Sequence, residues 1–227
     1  MNRVVYTQVS LDIQTIEEAL IMAEGAVRAG IDWIEAGTPL ILGEGVRALK
    51  AIRNAYPDKA IVADLKTMDG AGLEAEMMFK AGASHTVVMS QAHWSSVKEM
   101  VKVAKEYNGQ VMADILNAPN KIEAAKQMEE LGVDWIILHT GFDERHHVSG
   151  ISPLDDLKSI LDAVSIPVQA VGGLSIEQAI KCVEIGASSL VIGAPLAVQD
   201  DRFAVGDEFE AILREVVEKV YNCVGGK

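Results

Sequence analysis

The segment Gly30-Ile-Asp-Trp-Ile-Glu35 places a glycine before a short, mostly apolar run, and the same pattern returns three more times along the chain. The further copies begin at Gly82, Gly132 and Gly186, at spacings of 52, 50 and 54 residues. Each interval has room for two strand–helix pairs. A chain of four near-equal quarters, each with two strand–helix pairs, is the pattern expected of a closed (β/α)8 barrel. An open, doubly wound sheet gives no reason for such a fourfold spacing.

The rest of the chain follows the same alternation of short apolar runs with amphipathic stretches, which is typical of βαβ units. We predict eight strands, at Val4–Leu11, Trp33–Ala36, Ala60–Lys66, His85–Ser90, Gln110–Leu116, Trp135–His139, Pro167–Val171 and Ser189–Ile192. Helices are predicted between the strands, and the four repeated glycines are expected to end helices in the left-handed conformation. No linker divides the chain, so the prediction is one TIM barrel of the α/β class over residues 1–227.

Composition restricts the possible partners and compartments. The chain has 33 acidic and 20 basic residues, for a net charge of −13, which argues against nucleic acid and membrane surfaces as partners. An anionic ligand must therefore be held locally. The first residues lack the features of a secretory signal, and no apolar run is long enough to span a bilayer. Cys182 and Cys223 lack a metal-binding spacing and are expected to be free thiols, so we expect a cytoplasmic protein.

Charged side chains and glycines stand where the predicted strands end, and TIM barrels build their active sites at that face. The set comprises Asp12, Glu35, Asp64, Lys66, Asp69, Asp114, His139, Gly172-Gly173 and Gly193-Ala194. Several carboxylates around one lysine need counter-charge, and a metal ion supplies it most simply.

Asp64 and Lys66 lie two residues apart on a predicted strand, so both are expected to face the barrel mouth. Surrounding carboxylates favour the ammonium form of Lys66, which suits stabilisation of an oxyanion and suits a Schiff base poorly. A structural ion pair is the alternative interpretation of these two residues. Structural hydrogen bonding is an equally open interpretation of Asp12 and Asp114.

The segment Asp64-Leu-Lys66-Thr-Met-Asp69 resembles the D-x-K-x-x-D motif of the orotidine monophosphate decarboxylase suprafamily. Its Thr-Met-Asp residues are most similar to those of the 3-hexulose-6-phosphate synthases within that suprafamily. Further segments lie in the order and spacing of that suprafamily: Gln8–Asp12, Ile34–Pro39, Leu138–Gly141 and Ala170–Gly173. Three activities occur there: decarboxylation of orotidine monophosphate, decarboxylation of 3-keto-L-gulonate 6-phosphate, and aldol addition of formaldehyde to ribulose 5-phosphate. Two positions favour the aldolase: Ala194, where the resembling decarboxylases carry arginine, and Asp114, where the resembling ketogulonate enzymes carry glutamate.

The resemblance implies a reversible, metal-dependent aldolase (a carbon–carbon lyase) that works through a 1,2-enediolate of ribulose 5-phosphate. Glu35 and Asp64 are the expected ligands of Mg²⁺, with Mn²⁺ possible, and Lys66 adds a second positive charge. His139 is the expected proton carrier, because its ordinary pKa lies near working pH, and a hydrogen-bonded barrel histidine is the alternative. Asp12 and Asp69 complete the expected catalytic set. A Schiff-base aldolase, a ketogulonate phosphate decarboxylase and a non-catalytic sugar-phosphate-binding barrel remain as alternative functions.

The substrate phosphate is expected on backbone N–H groups of Gly172, Gly173, Gly193 and Ala194, beside a short helix after strand 8. A tight strand-to-helix turn would use the same glycines. The polar segment 141–150 is expected to form a mobile loop over the substrate, from which Arg145 could reach the phosphate. The resemblance also implies a homodimer in which Asp69 reaches the neighbouring subunit's site, with the apolar residues 77–79 near the interface.

Overall fold

The strands close into a parallel barrel in the order β1-β2-β3-β4-β5-β6-β7-β8, with β1 paired to both β2 and β8. The computed structural model describes residues 4–194 and 207–225. The strands are β1 Tyr6–Leu11, β2 Trp33–Ala36, β3 Ala60–Thr67, β4 His85–Met89, β5 Gln110–Asp114, β6 Trp135–His139, β7 Val168–Val171 and β8 Ser189–Ala194. The predicted TIM barrel is confirmed, and each predicted strand end lies within two residues of the observed one.

Helices cover the outside of the barrel. They are α1 Ile16–Ala29, α2 Thr38–Glu44, α3 Val46–Ala55, α4 Ala71–Ala81, α5 Trp94–Glu106, α6 Lys121–Leu131, α7 Phe142–His147, α8 Leu154–Ala163, α9 Ile176–Ile185 and α10 Asp207–Cys223. None of these, over the residues described, is long and apolar enough to cross a membrane. The thiols of Cys182, which is buried, and Cys223, which is exposed, are both free, as predicted.

The repeated glycines end helices and so set where the even-numbered strands begin. Gly30, Gly82 and Gly132 follow α1, α4 and α6 with φ of 95°, 108° and 92°, in the left-handed region that glycine adopts without strain. Gly186 follows α9 with a φ of 139°. Each is followed within three residues by β2, β4, β6 or β8. The repeat in the sequence therefore corresponds to a repeated helix end and strand start.

The segment predicted as a loop after β6 contains a short helix instead, α7. Gly141 precedes it in an extended conformation, Asp143 and Glu144 occupy its first turn, and basic residues occupy its last turn. This order of charges complements the helix dipole and explains why a polar sequence folds here. The prediction of a loop is therefore wrong for residues 142–147, which are helical.

An apolar cluster fills the barrel interior at the end where the strands begin. Its buried members are Trp33, Val62, Val87, Met112, Trp135 and Ile137. The rings of Trp33 and Trp135 meet edge to face at 5.0 Å, and Tyr6 stacks on Trp33 at 4.7 Å between ring centroids. This packing closes the bottom of the barrel, so polar side chains nearer the strand ends face the opposite opening, which we call the mouth.

Candidate active site

Lys66 lies at the centre of the mouth between two carboxylates. Its Nζ is 2.8 Å from Asp64 Oδ2 and 3.4 Å from Asp114 Oδ2. Desolvation by itself lowers the pKa of Lys66, but the charges of Asp64 and Asp114 outweigh it and raise the pKa above its ordinary value. The site therefore stabilises the ammonium form of Lys66, as predicted from the sequence.

The backbone of Lys66 departs from regular strand geometry. Its φ is 52°, in the left-handed region, and the pairing of β3 with β4 shifts register between Ala63 and Thr67. The simple alternation used to place Asp64 and Lys66 on one face is therefore interrupted, although their side chains still meet. A non-glycine residue in this region costs about 1–3 kcal/mol, which its surroundings must offset.

Asp114 joins Lys66 to His139. Its Oδ2 is 2.8 Å from His139 Nδ1, and its Oδ1 accepts a 2.8 Å hydrogen bond from the backbone N–H of Leu116. Burial raises the pKa of Asp114, but His139, Lys66 and the Leu116 N–H bring it below its ordinary value. Asp114 is also a predicted substrate-binding residue, and it lines the cavity at the mouth, where it is 1% exposed and both its oxygens are engaged. Through Oδ2, Asp114 positions both Lys66 and His139.

The carboxylate of Glu35 is held deep in the mouth by polar side chains from β1. Ser10 Oγ donates a 2.8 Å hydrogen bond to Oε1, and Gln8 Nε2 donates to Oε2. Gln169 Nε2 in turn donates to Gln8 Oε1 at 2.9 Å and to Ser189 Oγ at 3.1 Å. Burial, followed by the negative charges of Asp64 and Asp12, raises the pKa of Glu35 well above its ordinary value.

Sequence analysis did not assign roles to Gln8, Ser10 and Gln169. The available signal was their polarity at alternate, inward-facing positions of otherwise apolar strands. Thr38 was also missed: its Oγ1 donates to the backbone oxygen of Asp64 at 2.9 Å and lies 3.1 Å from Asp64 Oδ2. Gln8 and Ser10 hold the carboxylate of Glu35 through hydrogen bonds, Thr38 contacts that of Asp64, and Gln169 in turn holds Gln8.

Asp64 and Glu35 together fit a divalent cation. Asp64 Oδ1 is buried and has no hydrogen-bond partner among the described residues, a costly arrangement that a cation would relieve. Two nearby carboxylates also repel each other, which contributes to the raised pKa of Glu35. Within the described ranges no three His, Cys, Asp or Glu side chains are grouped to hold a metal. A two-carboxylate site suits Mg²⁺, which keeps several water or substrate oxygens.

The two remaining predicted catalytic carboxylates lie at the edge of the site. Asp12 is exposed after β1, and partial desolvation and the charge of Asp64 raise its pKa. Asp69 is exposed after β3, and Ser96 Oγ lies 3.5 Å from its Oδ1. Among the described residues, Lys66 pairs with Asp64 and Asp114 but not with Asp69. One chain thus brings together every predicted catalytic and metal residue except Asp69.

The turn after β7 packs so closely against neighbouring atoms that its two glycines leave no room for a Cβ atom. Gly172 and Gly173 have φ of 132° and 61°, and a Cβ at Gly172 would overlap the backbone oxygen of Thr140. In the part of the chain that the structure describes, no backbone hydrogen bond uses the N–H of either glycine. Gly193 and Ala194 end β8 beside β1. The helix expected after them falls in residues 195–206, outside the described ranges.

Comparison with known proteins gives consistent matches over this barrel. A model of the orotidine 5'-phosphate decarboxylase / HUMPS family matches residues 6–207. The 3-hexulose-6-phosphate synthase of Mycobacterium gastri is 34% identical over 209 residues, covering 91% of this chain and 98% of that protein. The crystal structure of 3-hexulose-6-phosphate synthase from Salmonella typhimurium has a TM-score of 0.88 at 28% identity, covering 96% of this chain and all of that one. The structure of 3-keto-L-gulonate-6-phosphate decarboxylase from Vibrio cholerae has a TM-score of 0.79 at 25% identity, covering 97% and 98%.

Proposed function

Because the chain belongs to the orotidine 5'-phosphate decarboxylase / HUMPS family, we propose that it is a lyase that joins formaldehyde and ribulose 5-phosphate reversibly into a 3-hexulose 6-phosphate. The relatives named 3-hexulose-6-phosphate synthase support this reaction over others of the family. The observation that carries the proposal is the ammonium group of Lys66 held between Asp64 and Asp114 at the barrel mouth, with His139 on the same Asp114 oxygen.

His139 is the proposed carrier of the proton that leaves C1 of ribulose 5-phosphate. Asp114 engages its Nδ1, so Nε2 is the ring nitrogen available to the substrate. Because the paired carboxylate stabilises the charged ring that forms when Nε2 takes the proton, Asp114 supports His139 as a base. The proton returns by the same nitrogen when the reaction runs in reverse.

Lys66 stabilises the negative charge that develops on the substrate oxygens. Its raised pKa keeps it an ammonium, so it acts by its charge and hydrogen bonds and forms no Schiff base. Glu35 and Asp64 would hold Mg²⁺ or Mn²⁺, which would supply further positive charge to stabilise the negative charge on the substrate. Ser10, Gln8 and Thr38 keep these carboxylates oriented through the hydrogen bonds described above.

Decarboxylation of 3-keto-L-gulonate 6-phosphate is the second candidate, since the Vibrio cholerae enzyme of that name shares the fold at 25% identity. Both reactions would place an enediolate beside Lys66, so the site geometry supports a lyase of either kind, and the relatives named 3-hexulose-6-phosphate synthase favour the aldol reaction. The test is a formaldehyde-consumption assay with ribulose 5-phosphate, run with Mg²⁺ and with chelator, beside a CO₂-release assay with ketogulonate phosphate. We expect faster, metal-dependent formaldehyde consumption. Faster CO₂ release would instead assign the decarboxylase.

We further propose that the active unit is a homodimer in which Asp69 completes the partner's site. Asp69 is exposed and, among the residues described, forms no ion pair with its own chain's Lys66. Met68, directly after β3, and Leu73 and Met77, on α4, lie on either side of Asp69 in the sequence and are 50%, 67% and 47% exposed. Large exposed apolar side chains beside a site carboxylate fit a subunit contact. The expected contact included residues 78 and 79, but Met78 and Phe79 are buried in their own chain's core.

Mixing two inactive variants tests the shared site. Asp69→Ala and Glu35→Gln should each be inactive, but a heterodimer carries both lesions in one site and neither in the other. Random reassociation should therefore recover up to about a quarter of wild-type activity, by the symmetry of a twofold contact. The measurement is activity after denaturant-free subunit exchange, with exchange verified by native mass spectrometry. Verified exchange without recovered activity would show that Asp69 serves its own chain.

A further inference from the structure

Arg145, on α7, is the one arginine of the described residues whose side chain has no hydrogen-bond or ion-pair partner there. Arg28, Arg47 and Arg214 pair with glutamates, and Arg53 donates to backbone oxygens. Arg145 has a buried Nε with no acceptor, although carboxylates outnumber cations in this chain. Desolvation lowers the pKa of its guanidinium, and no charge among the residues the structure describes counteracts it. A partly buried cation in this state lacks the anion that would offset its desolvation.

The guanidinium lies against the turn after β7. Its Nη1 and Cζ occupy the space that a Cβ on Gly173 would need, and Gly173 has a φ of 61°. Glycine at 173 therefore both permits the turn and admits the guanidinium. The N–H groups of Gly172 and Gly173 donate no backbone hydrogen bond within the described ranges. Backbone donors and a cation thus meet at one point beside the mouth.

The side chain is supported from its own helix. Arg145 Cζ is 5.7 Å from the centroid of the Phe142 ring, and the backbone N–H of Arg145 donates to the oxygen of Gly141 at 3.1 Å. The Phe142 ring in turn packs on His146 at 4.2 Å. This packing places the guanidinium over the glycine turn, where none of the described residues accepts from its donors.

We propose that Arg145 binds the substrate's phosphate group together with the Gly172-Gly173 turn, which makes α7 a specificity element for phosphorylated sugars. This inference rests on the proposed function for its substrate, but it extends that function to a residue outside the strand ends. A planar guanidinium with free donors matches a phosphate in two-point geometry.

Binding of inorganic phosphate, measured by calorimetry, tests the proposal without turnover. Arg145→Gln should weaken phosphate binding by about 10- to 100-fold, the loss expected for hydrogen bonds to a charged group. Arg145→Lys keeps the charge without the planar donor pair and should give an intermediate affinity. Lys158→Gln, an equal loss of charge at an exposed α8 position paired with Asp162, should leave phosphate affinity unchanged.

The same variants are assayed with ribulose 5-phosphate and formaldehyde. Arg145→Gln should raise KM for the sugar phosphate far more than it lowers kcat, because the contact is made equally before and during the reaction. Phosphate affinity that is unchanged in Arg145→Gln, or phosphate binding absent from the wild type, overturns the inference even if the aldolase is active. Arg145-dependent phosphate binding without any aldol turnover would instead refute the proposed reaction and keep the phosphate site.

Discussion

Replacing Asp64 with asparagine should lower kcat/KM for the aldol reaction by about 10³-fold or more while leaving the barrel folded. Asp64 Oδ2 accepts from Lys66 Nζ at 2.8 Å, and its buried Oδ1 has no partner in the described ranges. The substitution removes the charge that holds the ammonium in place and one of two expected metal ligands, and each such electrostatic contribution is worth about 10²–10³ in rate. Steady-state kinetics with Mg²⁺ at saturation measures the loss.

Stability should change in the opposite sense to activity. The neutral amide of the Asp64→Asn variant would no longer repel the buried Glu35, so the melting temperature of this variant should equal or exceed that of wild type. Asp156→Asn is the matched control, because Asp156 also pairs with a lysine, Lys121, at 2.7 Å but on the outside of the barrel. The control should keep full activity. Asp64→Asn activity within tenfold of wild type would remove Asp64 from both proposed roles.

Replacing His139 with asparagine should slow exchange of the C1 proton of ribulose 5-phosphate by about 10²- to 10⁴-fold, the usual contribution of a positioned general base. The ring is fixed by Asp114 at 2.8 Å, and asparagine can keep that hydrogen bond but cannot carry a proton. Substrate binding should therefore persist. Exchange of solvent deuterium into C1, followed by NMR without formaldehyde, isolates this step from aldol addition.

His147→Asn is the control for His139→Asn. His147 is exposed on α7, and its Nδ1 contacts the backbone oxygen of Asp143 at 2.9 Å, so its loss should leave exchange unchanged. An undiminished C1 exchange rate in His139→Asn would transfer the base to another group, and Asp69 of the partner would be the next to test.

The sequence was sufficient to predict the barrel because its strongest signals are local. Gly30, Gly82, Gly132 and Gly186 each end a helix just before a strand, and that signal needs no knowledge of distant contacts. Because TIM barrels build their active sites where the strands end, the sequence also predicted that Glu35, Asp64, Lys66 and His139 lie close together. These residues do line one cavity at the mouth.

The details that sequence reasoning missed depend on contacts between distant residues. Gln8 and Gln169 are 161 positions apart and meet only because the barrel closes through β8 and β1. The contacts of Asp114 with Lys66 and His139 likewise depend on the packing of three strands, so no local sequence signal predicts them. The left-handed backbone of Lys66 has no local signal either, since lysine does not favour it.

The most direct test of the proposed aldolase is the fate of ¹³C-labelled formaldehyde incubated with ribulose 5-phosphate, Mg²⁺ and the wild-type protein. We predict that the label appears by NMR at C1 of a 3-hexulose 6-phosphate. Chelator should abolish the signal, as should Asp64→Asn. Label that stays in formaldehyde, with ribulose 5-phosphate unchanged and the protein folded, would contradict the account.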